Sequence, residues 1–252
     1  MNKRPKKAAE LLQNYSVTSG PLKTMEDGKD IPSKPRKGRW IQTYVGKKYF
    51  PLDPRPEEVD IKDIAHALAL KCRFGGHCKR FYSVAEHSVR CVEYFDRHNH
   101  EKILRAGEYN VGDIHTDWVK FHEDMHEIQR WVLMHDAAEA YLADVPRPVK
   151  KCMPEFKELE EKNLEAIAEA FEMSYPIPER IDEYIKEADN ALLMTERRDN
   201  MSNPPEKWDI DGIGIEPDCY FVIPMTAEEA ERRFLDKFVF LFHYDFLDKE
   251  KE

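Results

Sequence analysis

No stretch of this chain approaches the ~18 consecutive apolar residues of a membrane-spanning helix. The first residues are basic but lack the apolar core of a secretory leader. Cysteine is scarce and odd in number: five residues (Cys72, Cys78, Cys91, Cys152 and Cys219), none in a Cys-x-x-Cys pair. That excludes a disulfide framework and a cysteine-built zinc site, and it fits a reducing cytoplasm. Internal repeats are missing, and so is the alternation of strand and helix patterns that marks a parallel sheet.

What remains is a soluble, charged sequence. Of 252 residues, 35% are charged and 41% hydrophobic, with a net charge of −10. That total hides an asymmetry. Residues 1–40 carry ten Lys/Arg against four Asp/Glu, leaving −16 for the rest. An acidic body argues against a stable nucleic-acid partner. The basic segment, residues 1–38, reads as a flexible, solvated extension with one short helix near Ala8 to Gln13. Residues 39–252 form the folded domain, and a homodimer is compatible with it.

Along that domain, Trp40–Tyr44 and Lys48–Phe50 are β-prone runs around Val45-Gly46-Lys47, which predicts a small hairpin. Helical periodicity begins near Val59, with Ile61, Ile64, Ala65, Leu68 and Ala69 on one stripe. Cys72 to Phe81 reads as a loop. Ser83-Val84-Ala85-Glu86 is a capping box opening the next helix. Residues 98–118 read as a loop or insertion. A long helix is expected over Phe121–Leu142, ended by Val145-Pro146-Arg147-Pro148. Further helices fit about 155–172, 179–199 and 226–246, with a Pro-rich loop over Asn203–Pro217. The expectation is an all-α bundle with a small N-terminal β-hairpin.

The run Trp131–Leu142 has nine apolar residues in twelve, and the other three (His135, Asp136 and Glu139) are all ionisable. On one helix these three project from adjoining parts of a surface. A segment apolar nearly all round should be buried, and burying ionisable groups is costly unless something compensates. A divalent cation compensates most simply, with neutral imidazole and carboxylate as ligands. A buried His–Asp pair without metal is the other reading of this segment alone. His87 shares a face with Val84 and Cys91, and Asp189 sits in the apolar stripe of its helix with Ile185 and Leu192.

The pattern His87…His135-Asp136…Asp189 resembles the HD-domain superfamily of metal-dependent phosphohydrolases. It is most similar to the bacterial and phage 5′-deoxynucleotidases. The strings Arg73-Phe74 through Tyr82-Ser83-Val84-Ala85-Glu86-His87-Ser88, His135-Asp136-Ala137-Ala138-Glu139 and Asp144-Val145-Pro146-Arg147-Pro148-Val149-Lys150 carry the likeness, over roughly residues 38–200. The resemblance implies an HD-domain helical bundle. It implies His87, His135, Asp136 and Asp189 as ligands of a divalent metal ion (cobalt, manganese, zinc or magnesium). Glu139 would orient or deprotonate the attacking water, and Asp144 would help protonate the leaving 5′-oxygen. Arg73 and Lys150 would hold phosphate, and Phe74 would pack against the sugar. The expected activity is hydrolysis of deoxynucleoside 5′-monophosphates. A deoxynucleoside triphosphate triphosphohydrolase is the alternative, and a non-catalytic nucleotide-binding domain a third reading.

Phosphate-ester hydrolysis asks for such parts on its own account. A cation masks the anionic phosphate and lowers the pKa of bound water, a carboxylate serves as base, and Arg and Lys pair with phosphate oxygens. A competing motif, His122-Glu123-Asp124-Met125-His126, matches the H-E-x-x-H zinc-protease pattern. Its charged surroundings (Lys120, Glu123, Asp124, Glu127) read instead as a solvated helix face.

Overall fold

The computed structural model describes residues 35–105, 114–212 and 214–249. The expectations of a flexible basic extension over most of residues 1–38 and of a helix near Ala8 lie outside them. Strands β1 (Ile41–Gln42) and β2 (Lys48–Tyr49) pair antiparallel, Ile41 opposite Tyr49. Gly46, at φ +83°, makes the turn between them. Just ahead of the hairpin, Arg36 is anchored. Its guanidinium pairs with Asp53 at 2.7 Å and Glu58 at 2.5 Å and lies 4.0 Å over the Phe50 ring.

Eight α-helices follow among the described residues: α1 (Ile61–Leu70), α2 (Val84–His98), α3 (His100–Arg105), α4 (Ile114–Met134), α5 (Arg147–Lys150), α6 (Pro154–Ala170), α7 (Glu179–Asn200) and α8 (Ala227–Lys249). None is long and apolar enough to cross a membrane. The all-α bundle with its small hairpin is as the periodicity predicts. The stripe Ile61, Ile64, Ala65, Leu68, Ala69 is fully buried, and Asp60 caps α1 by accepting from the Lys62 amide at 3.0 Å. Helix α2 is the central element, packed against α1, α4, α7 and α8. It is buried almost all round, including Glu86, His87 and Ser88. Its own Phe95 packs with Trp131, Phe234 and Phe238 in the core around it.

Three expectations need correction. The helix over Phe121–Leu142 ends at Met134; His135 and Asp136 form a turn, and a 3-10 turn spans Ala137–Ala140. Adjacent residues on an α-helix point about 100° apart, so a continuous helix would not aim His135 and Asp136 at one place. The break is stabilised from outside: the Lys71 ammonium donates to the backbone carbonyls of Glu139 and, at 2.8 Å, Ala140. The apolar run gives no hint of this, because the compensating lysine sits far away in sequence.

Residues 98–118 are not simply a loop. Helix α3 starts after the buried Asn99 and is pinned by the fully buried Ile103, and α4 already begins at Ile114. The capping box is half made. Ser83 Oγ accepts from the Glu86 amide at 3.1 Å, but the Glu86 carboxylate turns away to Arg90 at 2.8 Å and the Met225 amide at 2.9 Å. It therefore ties the segment before α8 to α2.

Candidate metal centre

Three helices deliver the donors. His87 comes from the middle of the bundle on α2, His135 and Asp136 from the turn ending α4, and Asp189 from α7. His87 Nε2 lies 3.3 Å from Asp189 Oδ1 and 3.8 Å from Asp136 Oδ2, and His135 Nε2 lies 3.3 Å from Asp136 Oδ2. Two nitrogen or oxygen donors ~2.0 Å from one four-coordinate ion stand about 3.3 Å apart. The two 3.3 Å separations are those of neighbouring donors on one ion. Both imidazoles are nearly inaccessible, whereas Asp136 and Asp189 keep 21% and 22% exposure. The carboxylates form the open side, so Asp189 is less enclosed than its place in an apolar stripe suggests.

The tautomers follow from the partners. His135 Nδ1 lies 2.8 Å from the carbonyl of Val132, one of the last carbonyls of α4, which lacks an intrahelical partner. A carbonyl only accepts, so Nδ1 carries the proton and Nε2 presents a lone pair. That Nε2 is buried and has no hydrogen-bond partner. His87 Nδ1 lies 2.6 Å from Glu196 Oε1, which turns its Nε2 toward Asp189, Asp136 and the Cys91 sulfur. A histidine fixed from behind by a carboxylate or carbonyl, with its other nitrogen free, is the usual arrangement of a metal ligand. His87, His135 and Cys91 also form a buried group whose ligand atoms lie within 4.8 Å of one another, and it could hold a metal ion. The residues fit a divalent cation.

The charges around the donors set their proton affinities. Burial and Arg73 oppose a charge on His87, but Cys91, Glu196 and Asp189 outweigh them and raise its proton affinity well above the ordinary value. Burial alone would push Asp136 up, yet His135, His87 and Arg73 hold its carboxyl well below the usual range. The same balance, dominated by His87, lowers Asp189. The point where these groups converge favours positive charge.

Around the donors lie the other predicted residues. Glu139 is buried, with Oε2 unpartnered and Oε1 3.8 Å from Lys150 Nζ. Burial, then Asp136 and Asp144, push its carboxyl up to about 9. Asp144 is raised by burial and by Asp136. Lys150 also pairs with Glu160 at 2.7 Å.

Arg73 lies beneath the centre, its Nε 3.2 Å from Glu196 and its Nη1 3.5 Å from Asp136. Phe74 is half-buried beside it, 6.4 Å from Trp208. Its φ of +57°, followed by Gly75 and Gly76 also at positive φ, is a conformation that β-carbon-bearing residues rarely adopt. The bend directs Arg73 inward.

Two residues escaped the sequence reading. Glu196 is fully buried and bridges His87 and Arg73. The signal was its place two turns after Asp189, on the same face of α7. Arg147, half-exposed, donates to Asp189 and, at 3.2 Å, to Asn190; the cation inside Pro146-Arg147-Pro148 was the available clue.

The His122/His126 motif stays outside the centre. Neither belongs to the metal-competent group among the described residues. Nor is it a purely solvated face: His126 is buried, with its ring 6.3 Å from that of Phe240.

No family model matches the chain. It is 31% identical over 200 residues to the uncharacterized protein YfdR of Escherichia coli K12, covering 79% of this chain and 93% of YfdR. It is also 31% identical over 166 residues to the uncharacterized protein RCAP_rcc00048 of Rhodobacter capsulatus, covering 64% of this chain and 72% of that protein.

Proposed function

The chain belongs to the same family as YfdR of Escherichia coli, and we propose that it is a metal-dependent phosphohydrolase acting on deoxynucleoside 5′-monophosphates. One observation carries the reading: the Nε2 atoms of His87 and His135 stand 3.3–3.8 Å from the carboxylates of Asp136 and Asp189, and the buried Glu139 that follows Asp136 keeps one carboxylate oxygen unpartnered. The resemblance of His87…His135-Asp136…Asp189 to the HD-domain phosphohydrolases supplies the substrate class.

His87, His135, Asp136 and Asp189 would hold the ion. When bound it would mask phosphate charge and acidify a water. The protein's own groups do the rest. Glu139, buried one turn after Asp136 with one carboxylate oxygen unpartnered, would take the proton of the attacking water once the ion is bound. Asp144, raised in the same way, donates to the leaving 5′-oxygen. Arg147 and Lys150, on the accessible side, pair with phosphate oxygens. Arg73 braces Asp136 and Glu196 from beneath, and Phe74 offers a ring to the sugar.

Incubating the metal-loaded protein with dAMP, dGMP, dCMP and dTMP should release inorganic phosphate and a deoxynucleoside. Glu139→Ala should keep the metal and lose about 10²–10⁴ in kcat. If monophosphates stay intact while a deoxynucleoside triphosphate yields whole triphosphate, the enzyme is a triphosphohydrolase instead. Inertness toward both, with metal bound, would overturn the hydrolase reading.

A further inference from the structure

We infer that Trp208 forms, together with Phe74, the wall of a nucleobase subsite, and that it holds the base by stacking rather than by reading its hydrogen-bonding edge. The subsite rests on the proposed hydrolysis of deoxynucleoside monophosphates. It accounts for the one part of that substrate, the base, that the metal donors, the phosphate-pairing cations and Phe74 leave without a partner.

Trp208 closes the Pro-rich loop, just before the 3-10 turn Asp209–Gly212, and that turn holds it in place. The Trp208 amide donates to Asp211 Oδ2 at 2.6 Å. Asp211 also accepts from Arg197 Nη1 at 2.8 Å and Nη2 at 2.5 Å, and the Arg197 guanidinium lies over the indole, 5.0 Å from its centroid. Arg197 follows Glu196, the residue behind His87. One turn of α7 therefore positions both a metal donor and the indole. From the other side, Lys151, next to the phosphate-pairing Lys150, reaches Asp209 at 3.1 Å. The loop that carries Trp208 is thus tied to elements on two sides of the metal centre.

The residues follow the order of a nucleotide's own parts. Arg73 Nη1 lies 3.5 Å from Asp136 Oδ2, Phe74 is the next residue, and the Trp208 ring stands 6.4 Å beyond the Phe74 ring. Phosphate at the ion, sugar at Phe74 and base at Trp208 keep that sequence. The two rings are tilted 50° to one another, so they make a corner and not a closed stack. Both are only half-buried. Arg197 takes one face of the indole, which leaves the other face and the edges for a ligand. An aromatic ring that is fixed but partly open suits a planar partner, and offset stacking is its preferred contact. Such a contact tolerates any base, because every base has a π-face. The subsite therefore gains affinity from the base without choosing strongly among the four.

The test uses the full, metal-loaded chain and compares dAMP with 2-deoxyribose 5-phosphate, the same phosphate and sugar without a base. Trp208→Ala should raise KM for dAMP by about 5- to 100-fold, the worth of one base–aromatic stack, with kcat little changed. KM for 2-deoxyribose 5-phosphate, or its inhibition constant against dAMP if it is not turned over, should stay the same. Trp208→Phe should recover most of the lost dAMP affinity. Trp208→Leu, which keeps apolar bulk without a ring, takes the place of the alanine variant if circular dichroism shows that one unfolded. An unchanged KM for dAMP, or equal losses on both compounds in a folded variant, would overturn the subsite and leave the hydrolase reading standing. A metal-loaded wild type that hydrolyses no deoxynucleoside monophosphate would overturn that reading, and the subsite with it.

Discussion

Helix α4 carries one pair of histidines near its middle and delivers another histidine just past its end, and the two places differ in what surrounds them. His122 and His126 stand at the i, i+4 spacing of a chelating pair, yet their ring centroids are 6.3 Å apart and His126 packs against Phe240. His135, just past the last residue of the same helix, has no second histidine near it in sequence. Its partner His87 comes from α2, 48 positions earlier. What sets His135 apart is its surroundings: Nδ1 is committed to Val132, Nε2 is bare, and carboxylates lie on the far side. Spacing within one helix is a weak indicator of a metal site; a fixed tautomer facing converging anions is a strong one.

The sharpest way to break this contrast is to remove each histidine pair in turn. His135→Ala and Asp136→Ala should drop bound metal from about one ion per chain to none and abolish phosphate release, because each removes a donor from a four-ligand shell. His122→Ala combined with His126→Ala should leave metal content unchanged by elemental analysis. The reverse pattern would relocate the site to the His122–His126 stretch of α4.

Glu196 tests whether the support behind the ligand matters as the comparison implies. Removing the partner behind a metal-bound histidine typically costs 10–100-fold in metal affinity. Glu196→Gln keeps the side-chain shape but loses the charge that holds the Nδ1 proton of His87. Zinc titration against a chromophoric chelator should show a weakening of about 10–100-fold, smaller than loss of a direct ligand. Unchanged affinity, with the fold intact, would mean that Glu196 serves packing and Arg73 alone.

The sequence made some of this legible and hid the rest for physical reasons. Periodicity places α1, α6, α7 and α8 to within a few residues, since each buries one stripe against the core. The inward face of His87 also follows from its apolar stripe, with the set of four implied by the resemblance to the HD-domain pattern. The break after Met134 does not, because Lys71 stabilises it from the end of α1. Glu196 was overlooked because a glutamate followed by two arginines reads as a helix surface, although the helix turns it fully inward. Arg73 was read as a substrate contact, and the structure shows why an arginine can sit there at all: Glu196 and Asp136 compensate its charge.

A separate effect concerns Glu139 in the metal-free protein and is bounded by one proton. Burial and the neighbouring Asp136 and Asp144 raise its carboxyl to about 9 in the folded chain, against about 4.3 for an unperturbed glutamate. Between these values the folded state keeps a proton that the unfolded state releases. Stability then falls as pH rises, by at most about 1.4 kcal/mol per pH unit for this group. The contribution is fully present below about pH 4 and is lost as pH climbs toward the folded value. Glu139→Gln stays uncharged throughout, so it should remove that share of the slope and be the more stable protein near pH 8. Urea unfolding of chelator-treated wild type and variant from pH 5 to 8 measures the difference directly. Parallel pH profiles would mean that Glu139 is ionised in the folded metal-free protein, and that its proton affinity is not what suits it to act as the base.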